Sequence, residues 1–134
     1  MATLPVLDVG NCDPDHSALR QLLTTHFDVA VDRVMFVADA LDRMRSRRYA
    51  LVLVNRLIFA DGSAGMELIR AAQADAALRD QPIMLISNYA DARAEAVAAG
   101  GVAGFGKADM GDRRTVELIA GYVGGPANSH NSIK

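Results

Sequence analysis

The chain carries one cysteine, Cys12, so it cannot hold an internal disulfide, and that usage fits a reducing compartment. It has no excess of either charge: 14 Lys and Arg against 16 Asp and Glu leave a formal net charge of -2. That excludes the strong positive balance on which nucleic-acid binders rely. The one basic run, Arg43, Arg45, Arg47 and Arg48, reads as a solvated helix end. A long apolar run is also missing. The start, MATLPVLDVG, has no basic region, and its apolar stretch is far too short for a signal peptide or a bilayer span. A cytoplasmic location with no membrane partner is the expectation. His16, His26 and His130 are dispersed, and none has a companion at metal-ligand spacing, so no metal site is expected. The glycines Gly100, Gly101, Gly104 and Gly106 lack the spacing of either nucleotide-binding fingerprint. No Ser-His-Asp or Cys-His arrangement is supported, so the chain is not expected to be an enzyme.

What is present is an apolar content of 51% in 134 residues, enough for one domain with its own core. Leu4 to Val9 reads as a first strand ending in Gly10-Asn11-Cys12. Asp13 is expected to cap a helix with Pro14 at its first position, and Ala18, Leu19, Leu22, Leu23 and Phe27 form the apolar stripe. Val29 to Phe36 contains a second strand, followed by a helix carrying Ala40, Leu41 and Met44. Ala50 to Val54 is apolar without alternation, as in a strand covered on both faces. After the Asp61-Gly62 turn, a helix runs from Met66 toward Ala77. Ile83 to Ile86 is a fourth strand, Asp91 to Ala99 an alanine-rich helix, Val102 to Phe105 a weak fifth strand and Asp112 to Val123 a last helix. The Gly-, Ser- and Asn-containing stretch from Gly124 to Lys134 is expected to be a disordered tail.

Strand and helix therefore alternate through the chain, and right-handed crossovers place helices on both faces of a parallel sheet. Such sheets carry their chemistry outside the carboxyl ends of the strands. That edge collects Asn11, Cys12, Asp13, Asn55, Arg56, Ser87, Asn88 and Lys107. Ser87 and Lys107 are suited to grip an anion. Hard cations such as magnesium need oxygen ligands, and here the central position, Asn55, is an amide while Cys12 is soft. Asp13 is the only obvious carboxylate of the edge, and Asp8, inside the strand, is expected to point away from it. Each residue also has a plainer role open to it. Cys12 can be a small buried residue, Asn11 and Asn55 can close strand ends, and Ser87 and Lys107 can pair locally.

In order and interval these segments resemble the receiver domain of bacterial two-component response regulators, over roughly residues 4 to 123. VLDVGNCDPDHSALRQLL is similar to the family's first strand, acidic loop and first helix. ALVLVNRLIFADGSAGMELI resembles the third strand, phosphorylation loop and third helix. IMLISNYAD resembles the fourth strand with its hydroxyl residue, and AAGGVAGFGKADM the fifth strand with its lysine. The resemblance implies a doubly wound, flavodoxin-like (βα)5 sandwich with strand order 2-1-3-4-5. It places Asn11 and Cys12 where the family has its acidic magnesium pair, Asn55 at the phosphoacceptor aspartate, and Ser87 and Lys107 at the retained hydroxyl and lysine. Gly104 stands at the aromatic switch position, beside Phe105.

The implied protein is an atypical, aspartate-less receiver with weak or absent magnesium binding and no cofactor. Phosphoryl transfer needs an anionic oxygen nucleophile and charge compensation, and these residues supply neither. Lys107 is expected to face no acidic cluster. The expected role is phosphorylation-independent signalling. The partner would be a kinase, an output protein or a second copy, meeting the region 91 to 123. The alternative is a sensor of a small anion or metabolite, with Arg56, Asn88 and Asp13 as possible contacts.

Overall fold

A computed structural model describes residues 3–124 of the chain. The expected fold class holds. Strands β1 (Leu4–Val9), β2 (Val29–Val34), β3 (Leu51–Asn55) and β4 (Ile83–Ile86) form a parallel sheet in the order β2-β1-β3-β4. Around it lie α1 (Asp13–His26), α2 (Val37–Ser46), α3 (Met66–Gln73), α4 (Ala90–Ala98) and α5 (Arg113–Val123).

The two faces of the sheet follow from strand alternation. Leu7, Val9, Val52, Val54, Ile83 and Leu85 point to one side, where α2 and α3 bring Ala40, Met44, Leu68 and Ile69. Val6, Leu51, Leu53, Met84 and Ile86 point to the other, against Leu19 and Leu23 of α1 and Ile119 and Val123 of α5. All of these side chains are buried, which explains why β3 and β4 read as continuous apolar runs. Each fully buried aliphatic side chain stabilises the fold by about 1.5–3 kcal/mol, so the two layers supply most of the driving force.

The fifth strand is reduced. Val102 makes one parallel bridge to Met84, and its N–H donates to the Ile83 carbonyl at 2.9 Å. Farther along, the Ser87 N–H donates to the Phe105 carbonyl at 3.1 Å, with no continuous ladder between. Gly104 explains this: a Cβ there would fall 2.3 Å from the Leu85 carbonyl oxygen, so the segment runs too close to β4 for ordinary pleating. It still covers the β4 edge, as expected of a fifth strand.

Several boundaries differ from the sequence reading. Cys12, not Asp13, is the N-cap of α1; Asp13 is the first helical residue and Pro14 the second, and no side chain caps the end. Acidic Asp13 and Asp15 in the first turn complement the helix dipole instead. Ala18 is exposed and does not join the buried stripe. Helix α3 stops at Gln73 because the Asp75 carboxylate accepts the Ala77 N–H at 2.9 Å, turning the chain so that Leu78 is buried. Helix α5 has a true cap, Asp112, whose carboxylate accepts the Arg114 N–H at 3.0 Å. Gly124 ends it in the left-handed conformation, φ 90°. The expected tail otherwise lies outside the described residues. No helix among them is long and apolar enough to cross a membrane.

Candidate functional site

The register brings the strand ends together. Val9 lies beside Val54, and Asn55 beside Ile86. The loops that follow are locked to one another. The Phe59 N–H donates to the Gly10 carbonyl at 2.8 Å, and Gly10, at φ 76°, leaves room for Ile58 where a Cβ would collide with it. Gly65 approaches the Asn55 carbonyl so closely that a Cβ would lie 2.1 Å from its oxygen. These contacts hold the β3–α3 loop over the edge.

A cavity of about 360 Å³ opens at the β3 and β4 ends. Asn55 to Leu57, Ile86 to Tyr89, and Lys107 line it. Most of its polar groups are already engaged. The Asn55 Nδ2 donates to the Leu57 carbonyl at 2.7 Å. The buried Ser87 hydroxyl accepts the Tyr89 N–H at 3.0 Å, and the Ser87 carbonyl accepts from Arg93 at 2.6 Å. The Asn88 side-chain carbonyl accepts the Ala108 N–H at 2.9 Å.

Lys107 faces a single carboxylate and not a cluster: its Nζ donates to Asp15 Oδ2 at 2.6 Å, tying the 107–109 turn to the first turn of α1. The Lys107 hydrogen bond is the chief reason the Asp15 carboxyl is held below its ordinary pKa, with partial burial opposing and Cys12 assisting. Asp15 escaped the sequence reading. The signal was there in Asp13-Pro14-Asp15, but only the fold shows which of the two aspartates meets the lysine.

Arg56 is different. Its backbone is fixed by a bond to Ile86 and by the Gly65 N–H on its carbonyl, at 3.3 and 2.8 Å. Its guanidinium lies 4.8 Å from the centre of the Tyr89 ring. It has no carboxylate partner and no side-chain hydrogen bond among the described residues, and Tyr89 beneath it is 63% exposed.

Asn11, Cys12 and Asp13 do not line this cavity. Cys12 is half-buried. Asp13 pairs with Arg33 at 2.8 Å. Asn11 is fully buried and donates to Asp8 Oδ1 at 2.5 Å. Asp8 corrects an expectation: it belongs to the loop cluster, on the α1 face of the sheet. It is completely buried and also bonds His16 Nδ1 at 2.5 Å through Oδ2. Arg33 closes the group by donating to the Asn11 carbonyl at 2.9 Å. Asn11 Oδ1 and Arg33 Nε remain without a protein partner inside it. Among the described residues no three His, Cys, Asp or Glu side chains are grouped to hold a metal ion. Asn11 and Cys12 offer one neutral amide oxygen and a soft thiol and no carboxylate, a donor set that does not fit magnesium.

Neither a protein-family model nor a curated protein sequence matches the chain. Solved structures do. A receiver domain (CheY-like) from Methylobacillus flagellatus superposes with a TM-score of 0.71 at 18% identity, covering 91% of this chain and 99% of that one. A response regulator from Burkholderia multivorans gives 0.64 at 24% identity, covering 90% and 94%. The receiver domain of a sensor histidine kinase from Pseudomonas aeruginosa, which coordinates magnesium in its active-site cleft, gives 0.69 at 17% identity, covering 92% and 99%. The chain therefore has the response-regulator receiver fold, a CheY-like parallel sheet with surrounding helices.

Proposed function

We propose that the protein is a signalling module of receiver type that works by protein–protein interaction and does not transfer a phosphoryl group. The observation that carries this is the state of the edge. Asn55 stands at the central position, with its amide committed to the Leu57 carbonyl, and Lys107 is occupied by Asp15. A receiver switch needs a nucleophilic carboxylate, a divalent cation to offset the phosphoryl charge, and a hydroxyl and lysine free to follow it. Here the nucleophile is an amide, the metal positions are Asn11 and Cys12, and Ser87 and Lys107 are held by bonds within the chain. These bonds support a single locked conformation presented to a kinase, an output protein or a second copy. The cavity beside Asn55 favours a second role, response to a bound anion.

Incubation with a small phosphodonor and magnesium, followed by intact mass measurement, tests the reading. The expected outcome is an unmodified chain. A stable phosphoryl adduct at position 55 would sink it. Partner capture with wild type and Lys107→Ala in parallel then asks whether the locked edge governs association; equal capture would show that the latch is irrelevant to binding.

A further inference from the structure

The cavity at the β3 and β4 ends holds one cation with nothing to neutralise it. Lys107 is balanced by Asp15, whereas the Arg56 guanidinium has no ionic partner among the described residues and no carboxylate lines the space. The local charge to be met is therefore a single positive one. A guanidinium presents parallel N–H donors that match a carboxylate in two-point contact. The fork is also pre-organised, because backbone bonds to Ile86 of β4 and to Gly65 fix the Arg56 main chain and the Tyr89 ring supports its guanidinium at 4.8 Å.

The rest of the lining describes the remainder of the ligand. Leu57 is 44% exposed and Tyr89 63% exposed, although both are large and apolar enough to be core residues. They are the exposed apolar side chains of the lining, Ile86 being buried in the core beneath it. At about 360 Å³ the space is within the range of small-ligand sites. Asn55 uses its Nδ2 inside the chain, and its side-chain oxygen accepts no bond among the described residues, leaving an acceptor beside the cation.

We propose that this cavity reversibly binds an amphipathic monocarboxylate, its carboxylate on the Arg56 guanidinium and its apolar part against Leu57 and Tyr89. No covalent bond forms. The inference rests on the reading of a module without phosphoryl transfer, and it names the ligand class of that same edge. A phosphate dianion fits less well, since the second positive charge it would want is already spent on Asp15. The carboxylate can belong to a free small molecule or to the end of a protein chain.

The test is an amide NMR titration of the full chain with phenylacetate, with neutral phenylacetamide and with inorganic phosphate. Phenylacetate is expected to give saturable shifts at residues 55–57 and 87–89. Phenylacetamide and phosphate should bind about 10- to 100-fold more weakly, the worth of a charge-assisted hydrogen-bond pair. Arg56→Gln should weaken phenylacetate by a similar factor, and Tyr89→Ala by about 3- to 10-fold through lost stacking and apolar contact. Tyr89 is exposed and Arg56 partly so, and neither belongs to the core, so their variants should fold, which the unperturbed remainder of the spectrum checks. Absence of saturation at millimolar phenylacetate would overturn the proposal. So would equal binding of phenylacetamide, tighter binding of phosphate, or an Arg56→Gln protein that binds as wild type. N-acetylphenylalanine and acetyl-Ala-Ala-Phe with a free terminus distinguish the sources: clear preference for the peptide assigns a chain end, and equal affinity a small molecule. Intact mass after phosphodonor treatment reports separately on the non-transferring reading, so the two can fail independently.

Discussion

Among the described residues, neither side of the sheet's carboxyl edge groups three carboxylates, and the two sides are built differently around that lack. On the β1 side the space is filled with protein. Asp8, Asn11, His16 and Arg33 form a buried polar network in which the strand, the loop, α1 and β2 each contribute a member. On the β3 and β4 side a cavity stays open, its polar groups bonded to nearby backbone and one guanidinium, without an ionic partner among the described residues, over Tyr89. Each unpaired group in the buried part of such a network, as at Asn11 Oδ1 and Arg33 Nε, costs its desolvation, whereas an open cavity lets water satisfy its polar groups. Filling an edge makes it a structural joint, and leaving it open keeps it available to a ligand.

Truncating the joint should have the largest effect. Asp8→Ala leaves His16 and the Asn11 amide without their acceptor and is expected to cost about 3–5 kcal/mol. Urea unfolding would show it, and a loss below 1 kcal/mol would mean that the β1 side is no more structural than the open side. Next comes the β4 flank. Gly104→Ala drives a Cβ against the Leu85 carbonyl oxygen at 2.3 Å and should cost about 1–3 kcal/mol. The same measurement checks it, and a neutral result would show that residues 102–105 can move away from β4. Ser87→Ala removes a buried acceptor for the Tyr89 N–H and should cost about 1 kcal/mol. If it costs as much as Asp8→Ala, the contrast between the two sides fails.

The smallest effect is expected at the ion pair that links the sides. Asp15 and Lys107 are each more than a quarter exposed, so Lys107→Ala should cost only about 0.5–1 kcal/mol after solvent screening. Its signature is in the pH dependence. Lys107 lowers the Asp15 pKa, so the pair contributes fully above the ordinary carboxylate range and its contribution is lost as pH falls through the depressed value. Lys107→Ala should therefore flatten part of the acid limb of a stability–pH profile. An unchanged acid limb would remove the pair from any account of the edge.

Much of the fold was legible because burial on both faces leaves a direct mark. Ala50 to Val54 read as a strand covered on both faces and Ile83 to Ile86 as the fourth strand; they form β3, inside the sheet, and β4 beside it, with Leu51 to Val54 and Ile83 to Ile86 all buried. The weak strand at Val102 to Phe105 was weak for a real reason: three glycines flank or interrupt it, and only the approach of Gly104 to Leu85 shows that it forms a bridge and not a ladder. The edge was half legible. Chain order placed Asn55, Ser87, Asn88, Arg56 and Lys107 together, and they line one cavity. It also placed Asn11, Cys12 and Asp13 with them, and these stand apart, since Asn11 turns inward to Asp8 and Asp13 outward to Arg33.

By itself the sequence determined the identities at the edge: an amide at position 55, and an amide and a thiol at 11 and 12. It determined the sheet as well, since strand periodicity is local. Which charge meets which was decided only by the tertiary structure. Lys107 finds Asp15 across 92 residues, and Arg56 finds an aromatic ring instead of a carboxylate. Pairing of that kind depends on distances of a few ångströms between segments far apart in the chain, and no local pattern encodes them.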